Sequence, residues 1–207
     1  MTRSALLQDQ WTALRAWIGE SGLLDHRDDP SVLEAWNVHE LVTHLGRSFL
    51  ALTLLGPERG AEPQPLGSYL GAYAASAQEI ADGTTELARS LRADVLGGID
   101  NCARLGFRSL ERLRADVVRG PRGPITLDDF VLTRLIELVV HGDDLARSVP
   151  QVAPAPLLDG PVEAVSAALA GVYEAANGTT PQVGDRLDWI RRATGRVASD
   201  DAALPLL

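Results

Sequence analysis

The chain of 207 residues is 45% hydrophobic and 23% charged, with a formal net charge of −9. That length suits one well-buried domain with an appendage, the composition excludes a disordered chain, and the acidic balance argues against binding nucleic acid or an anionic membrane, since both rest on positive charge. All 19 basic residues are Arg, and Cys102 is the one cysteine, so no internal disulfide can form and a reducing cytoplasm is the expected location.

In chain order, Leu7, Trp11, Leu14, Trp17 and Ile18 recur at three- and four-residue intervals, which predicts a helix from Ser4 to about Leu24. The start meets Asp9 and Trp11 before any signal-like apolar core forms, and no run approaches the roughly 20 apolar residues of a membrane helix. After an acidic loop closed by Pro30, Asn37 and Glu40 read as a capping box that opens a second helix running to about Leu55. Gly and Pro then mark a linker to Pro65. Helical spacing returns from Ser68 through Ile80, with a continuation after Gly83 through Leu87 and Leu91 open, and a further helix is expected from about Leu96 to Val118, either separate from the first or its broken continuation.

Gly120-Pro121-Arg122-Gly123-Pro124 ends that segment, and Thr126 with Asp129 opens the next helix, which stops near Val149-Pro150. The Pro- and Ala-rich stretch from Gln151 to Pro156 is a plausible boundary. Two more helices are expected, from Leu158 to Ala176 and from Asp185 to Thr194. Strand signal is scarce throughout. The expected organisation is therefore an all-α bundle over residues 1–150 and a short helical appendage over 151–207.

The chemistry concentrates between Arg134 and Ala146. On a helix, Glu137 and His141 stand four apart on one face with Asp144 close by, while Leu135, Ile136, Leu138, Val139, Val140 and Leu145 make the helix apolar nearly all round and hence central. A buried carboxylate needs a hydrogen bond or a metal. The pair alone reads as a hydrogen-bonded core pair, but the second helix carries His44 among Leu41, Val42, Leu45 and Leu52. His44, Glu137 and His141 would form a three-ligand set of the catalytic type, which leaves a coordination position open.

Other features read as structure. His39 is about 140° round the helix from His44 and is expected at the surface, as is His26 in its acidic loop. Cys102 reads as a small apolar filler, and Trp11, Trp17 and Trp36 as core anchors. Arg104, Arg108 and Arg112 form a stripe with Arg119 and Arg122 beyond it; a solvated face is the first reading, an anion-docking edge the second. No nucleophile elbow, phosphate-binding loop, dinucleotide fingerprint or Cys-x-x-Cys is present.

Trp36-Asn37-Val38-His39-Glu40-Leu41-Val42-Thr43-His44-Leu45 resembles the first signature of the mycothiol-dependent maleylpyruvate isomerase group of DinB-like bundles. Arg134-x-x-Glu137-x-x-x-His141-x-x-Asp144-Leu145 resembles its second. The resemblance implies a DinB-like four-helix bundle in which His44, Glu137 and His141 hold a divalent metal, with zinc expected and mycothiol as cosubstrate. Arg134 and Asp144 would orient the ligands. Trp189 to Arg196 resembles the closing Trp-x-x-x-Ala-Thr-Gly-Arg motif of the group, which makes Arg196 the candidate for holding substrate.

Two features depart from the pattern: Asp143 stands where the family usually has an aromatic residue, and the tail is shorter than the α/β lobe of fuller-length members. The implied partners are a small-molecule thiol and an electrophilic or carboxylate substrate, with a homodimer a further expectation. Isomerisation and thiol transfer both fit. A non-enzymatic, metal-stabilised binding or regulatory bundle and a thiol-independent metal hydrolase are the alternatives.

Overall fold

A computed structural model describes residues 1–207. Helix α1 (Arg3–Glu20) is capped by the Thr2 hydroxyl and buries Leu7, Trp11, Leu14, Trp17 and Ile18. A single 3₁₀ turn at Leu23–His26 leads to α2 (Val38–Thr53), whose capping box forms as the sequence implies: Asn37 Oδ1 accepts from Glu40 N at 2.9 Å and Glu40 Oε2 accepts from Asn37 N at 3.0 Å. These reciprocal bonds satisfy two of the orphan donors at the helix start. They also set the register that turns His44 inward.

Where one continuous or two longer helices were expected, the chain forms α3 (Leu66–Gly71), a 3₁₀ turn at Ala74–Ser76, α4 (Ala77–Leu91) and α5 (Val95–Arg112). Asp94 caps α5 by accepting from Gly97 N at 2.9 Å, and this cap makes the break. Helix α6 (Leu127–Ser148) starts at Thr126, which accepts from Asp129 N, and is buried on nearly every side. The tail forms α7 (Asp159–Asn177) and α8 (Arg186–Ala193).

Helices α1, α2, α5 and α6 make the four-helix bundle: α2 lies against α5 and α6, and α1 against α6. The all-α, DinB-like reading holds. One apolar cluster runs from Leu7 and Trp11 through Phe49, Phe130 and Leu138 to Trp189 and Ile190, so α7 and α8 pack on the same core as the bundle. No helix is long and apolar enough to cross a membrane.

Two local expectations are corrected. The segment expected to continue the α5 helix to Val118 instead forms a small antiparallel sheet, β1 (Gly56–Pro57), β2 (Val117–Gly120) and β3 (Gly123–Thr126), in that order. Val118 and Ile125 pair and are both buried, while Gly123 takes φ +107° after the Pro121-Arg122 turn. Strands this short carry too little alternation to read. His39, expected at the surface, is 3% exposed, with Nε2 2.8 Å from Ala88 O. It does face away from His44, but that side of α2 is covered by α4.

Candidate metal centre

His44 comes from α2, and Glu137 and His141 from adjacent turns of α6. Their nearest ligand atoms all lie within 4.8 Å of one another. Glu137 Oε2 is 3.0 Å from His44 Nε2 and 3.2 Å from His141 Nε2, so both imidazole tips converge on one carboxylate oxygen.

The other side of each ring is held as well. The Thr84 hydroxyl on α4 donates to Ile80 O at 2.8 Å, which leaves its oxygen to accept from His44 Nδ1 at 3.3 Å. His141 Nδ1 lies 3.0 Å from Asp144 Oδ2 and donates to it. With both Nδ1 atoms used as donors, each ring in its neutral form presents its Nε2 lone pair to the Glu137 carboxylate, while a protonated ring donates to it from Nε2. Three electron-rich atoms facing one another call for a cation between them, and two imidazoles with a carboxylate suit a first-row divalent metal. The residues present fit that group.

The electrostatics agree. Burial pushes His44 down to about 4 despite the neighbouring Glu137, so this ring is neutral at physiological pH. Burial would also lower His141 and raise Glu137, but in both cases hydrogen bonding wins. Asp144 and Glu137 hold His141 above its ordinary value, while His141, His44 and the Arg134 charge hold Glu137 well below.

The outer residues divide by task. Arg134 is buried and partnered: Nε donates to Thr133 Oγ1 at 3.1 Å, one terminal nitrogen to the Tyr73 hydroxyl, and Glu137 Oε1 lies 3.7 Å away. Asp144 is fully buried and links His141 to Arg196, whose NH2 donates to the same Oδ2 at 3.2 Å and whose NH1 donates to Thr194 O at 2.7 Å. Asp143 lines neither cavity described below. It faces α8, where Arg191 grips it in a two-pronged pair at 2.8 and 2.6 Å.

Three contributors escaped the sequence reading. Thr84 orients His44 from α4. Trp36, read as a core anchor, lies over His44 with ring centroids 4.5 Å apart. Tyr73 joins the walls of two cavities that meet at Glu137. One, of about 140 Å³, is lined by Ile136, Val140, His141, Thr194, Arg196 and Leu207 among others. The second, of about 470 Å³, opens on the His44 side. Only the Trp of the Trp36-to-Leu45 motif could have been flagged from sequence, because the others depend on which helices become neighbours. Cys102 is buried in α5 and is not part of the cluster.

No curated protein and no solved structure shows significant similarity to the chain. A family model described as mycothiol maleylpyruvate isomerase N-terminal domain matches residues 7–146, a span that runs from α1 to the end of the Glu137, His141 and Asp144 helix turn and contains all three converging side chains. The chain belongs to the mycothiol maleylpyruvate isomerase N-terminal domain family.

Proposed function

We propose that the protein is a cytoplasmic divalent-metal enzyme, with zinc on His44, Glu137 and His141, that uses mycothiol as a thiol cosubstrate. Its reaction is thiol addition or transfer to a small electrophile, or cis–trans isomerisation of a maleylpyruvate-like enedioic acid. The observation that carries this reading is the convergence of two oriented imidazoles on one carboxylate at a point reached by two cavities, which a closed structural site would not need.

A divalent ion held there supplies a thiol in its deprotonated, nucleophilic form at neutral pH. The protein's own groups do the rest. Thr84 and Asp144 hold the two rings in the ligating tautomer, and Arg196 adds a second donor to Asp144 Oδ2 on the small-cavity side. Arg134 keeps Glu137 ionised and Tyr73 in place. In the isomerisation, the thiolate sulfur bonds to one alkene carbon, the π electrons move to the conjugated carbonyl oxygen, the resulting single bond rotates, and their return expels the thiolate.

Turnover of maleylpyruvate with and without mycothiol tests the reading. Activity that needs both metal and thiol supports it. Activity without thiol would point to hydrolysis, and a large fall in melting temperature on metal removal with no activity at all would point to a structural site.

Two further results are expected. Asp144→Ala should weaken zinc affinity about 10–100-fold, read by chelator competition, because it removes the acceptor that sets the His141 tautomer. An unchanged affinity would remove Asp144 from the centre. Metal uptake should also release a proton. His141 is held above its ordinary pKa, so below that pKa each ion displaces the His141 proton and affinity rises about tenfold per pH unit, levelling off above it. His44, ionising only near 4, adds nothing to this slope at neutral pH. Calorimetry in buffers of differing ionisation heat counts the protons, and uptake instead of release would contradict the assignment.

A further inference from the structure

The larger cavity, on the His44 side, differs in character from the site it adjoins. Arg47, Arg122 and Arg134 all line it, together with Leu50, Leu54 and Ile80. Arg134 is already committed to Tyr73, Thr133 and Ser48 O. The other two are not. The acids that face Arg47, Glu79 and Glu137, act on it only through space, with no hydrogen bond, and burial lowers its pKa as befits a cation lacking a counter-ion of its own. Its guanidinium is braced against α4 at Gly83, where an added Cβ would meet NH2 at 2.8 Å.

Arg122 sits in the turn between β2 and β3, stacked on Tyr73 at 3.6 Å from the ring centroid, with its Nε buried and without a partner. Of the Arg run noted in the sequence, Arg104, Arg108, Arg112 and Arg119 are solvent-exposed and Arg122 alone lines this cavity.

Two unpaired, partly desolvated guanidinium groups on one cavity wall make a binding place for an anion, because desolvated cations without hydrogen-bond acceptors are costly until an acceptor arrives. The aliphatic lining favours an anion with a carbon chain over an inorganic one. We propose that this cavity is a carboxylate subsite in which Arg47 and Arg122 grip the carboxylate of the electrophilic substrate and place its carbon chain toward Glu137 and His44. The assignment of the bound acid as substrate rests on the thiol-transfer reading above; the subsite itself does not.

Titration of succinate into the full chain as purified, by calorimetry, tests it, with succinamide as the uncharged analogue and inorganic phosphate as the competing anion. Succinate should bind and succinamide should not. Arg47→Gln and Arg122→Gln should each weaken succinate about tenfold or more, with metal content and melting temperature retained, while Arg47→Lys keeps part of the affinity and the exposed Arg108→Gln all of it. Arg122 lies in the β2–β3 turn and not on a bundle helix, which gives a second variant independent of Arg47. Succinate affinity in both Gln variants equal to that of the unaltered protein, as ligation by a metal alone would give, overturns the proposal, and so does tighter binding of phosphate than of succinate. Loss of metal in His141→Ala with succinate binding retained would leave the subsite standing; protein without metal in its unaltered form would sink the metalloenzyme reading alone.

Discussion

His141→Ala purified without added metal should contain essentially no zinc, where the unaltered protein should, on the proposed function, carry one equivalent. The effect should exceed the roughly 10–100-fold loss expected for disturbing an orienting partner, because a ligand itself is removed. It should also release two neighbours. Glu137 keeps its ionised form partly through the hydrogen bond from His141, and Asp144 likewise, so the variant leaves two buried carboxylates with fewer donors. Both then shift upward toward ordinary carboxylate values. Elemental analysis of the two proteins side by side is the measurement, and equal metal content in both would dismantle the site. Folding should survive the change, since His141 adds little to the apolar cluster that joins α1, α2 and α6.

That the three side chains could be named before any coordinates follows from where they lie. Glu137 and His141 are local partners on one helix, and the helix announces its central place by being apolar nearly all round. His44 needed a second clue, its place among Leu41, Val42, Leu45 and Leu52 on another apolar helix. Residues whose role depends on tertiary neighbours were not legible in this way. Thr84 has no signature until α4 is laid on α2, and the same packing hides His39, whose burial the helical wheel alone places in solvent. Arg122 joined a charge run that reads as surface, because only the β2–β3 turn carries it back to Tyr73. Asp143 shows the reverse case: a substitution within the signature that looks like a change to the pocket is answered by Arg191 on α8, away from both cavities.

Gly106→Val should destabilise the fold by about 3 kcal/mol, a fall in melting temperature of about 6–12 °C for a chain of this size. Replacing glycine inside a helix normally helps by up to about 1 kcal/mol, so the sign here is decided by packing. Helices α2 and α5 approach through two glycines. A Cβ at Gly106 would lie 2.6 Å from the Phe49 carbonyl oxygen and 2.9 Å from Phe49 Cβ, and one at Gly46 would lie 2.6 Å from Ile99 Cγ2 and 2.9 Å from Ile99 Cα. Backbone atoms cannot rotate aside as a flexible side chain can, and valine adds two methyl groups beyond the Cβ. The helices must therefore part. Since α2 carries His44 while Glu137 and His141 ride on α6, a shift of α2 lengthens the His44–Glu137 separation of 3.0 Å, and zinc affinity should fall together with stability. Gly171 on α7 supplies the contrast: nothing lies within 4 Å of its added Cβ, so Gly171→Ala should hold or raise the melting temperature and leave zinc affinity unchanged. A Gly106→Val protein as stable as the original would mean that α2 and α5 do not meet this closely, and the placement of His44 against α6 would lose its support.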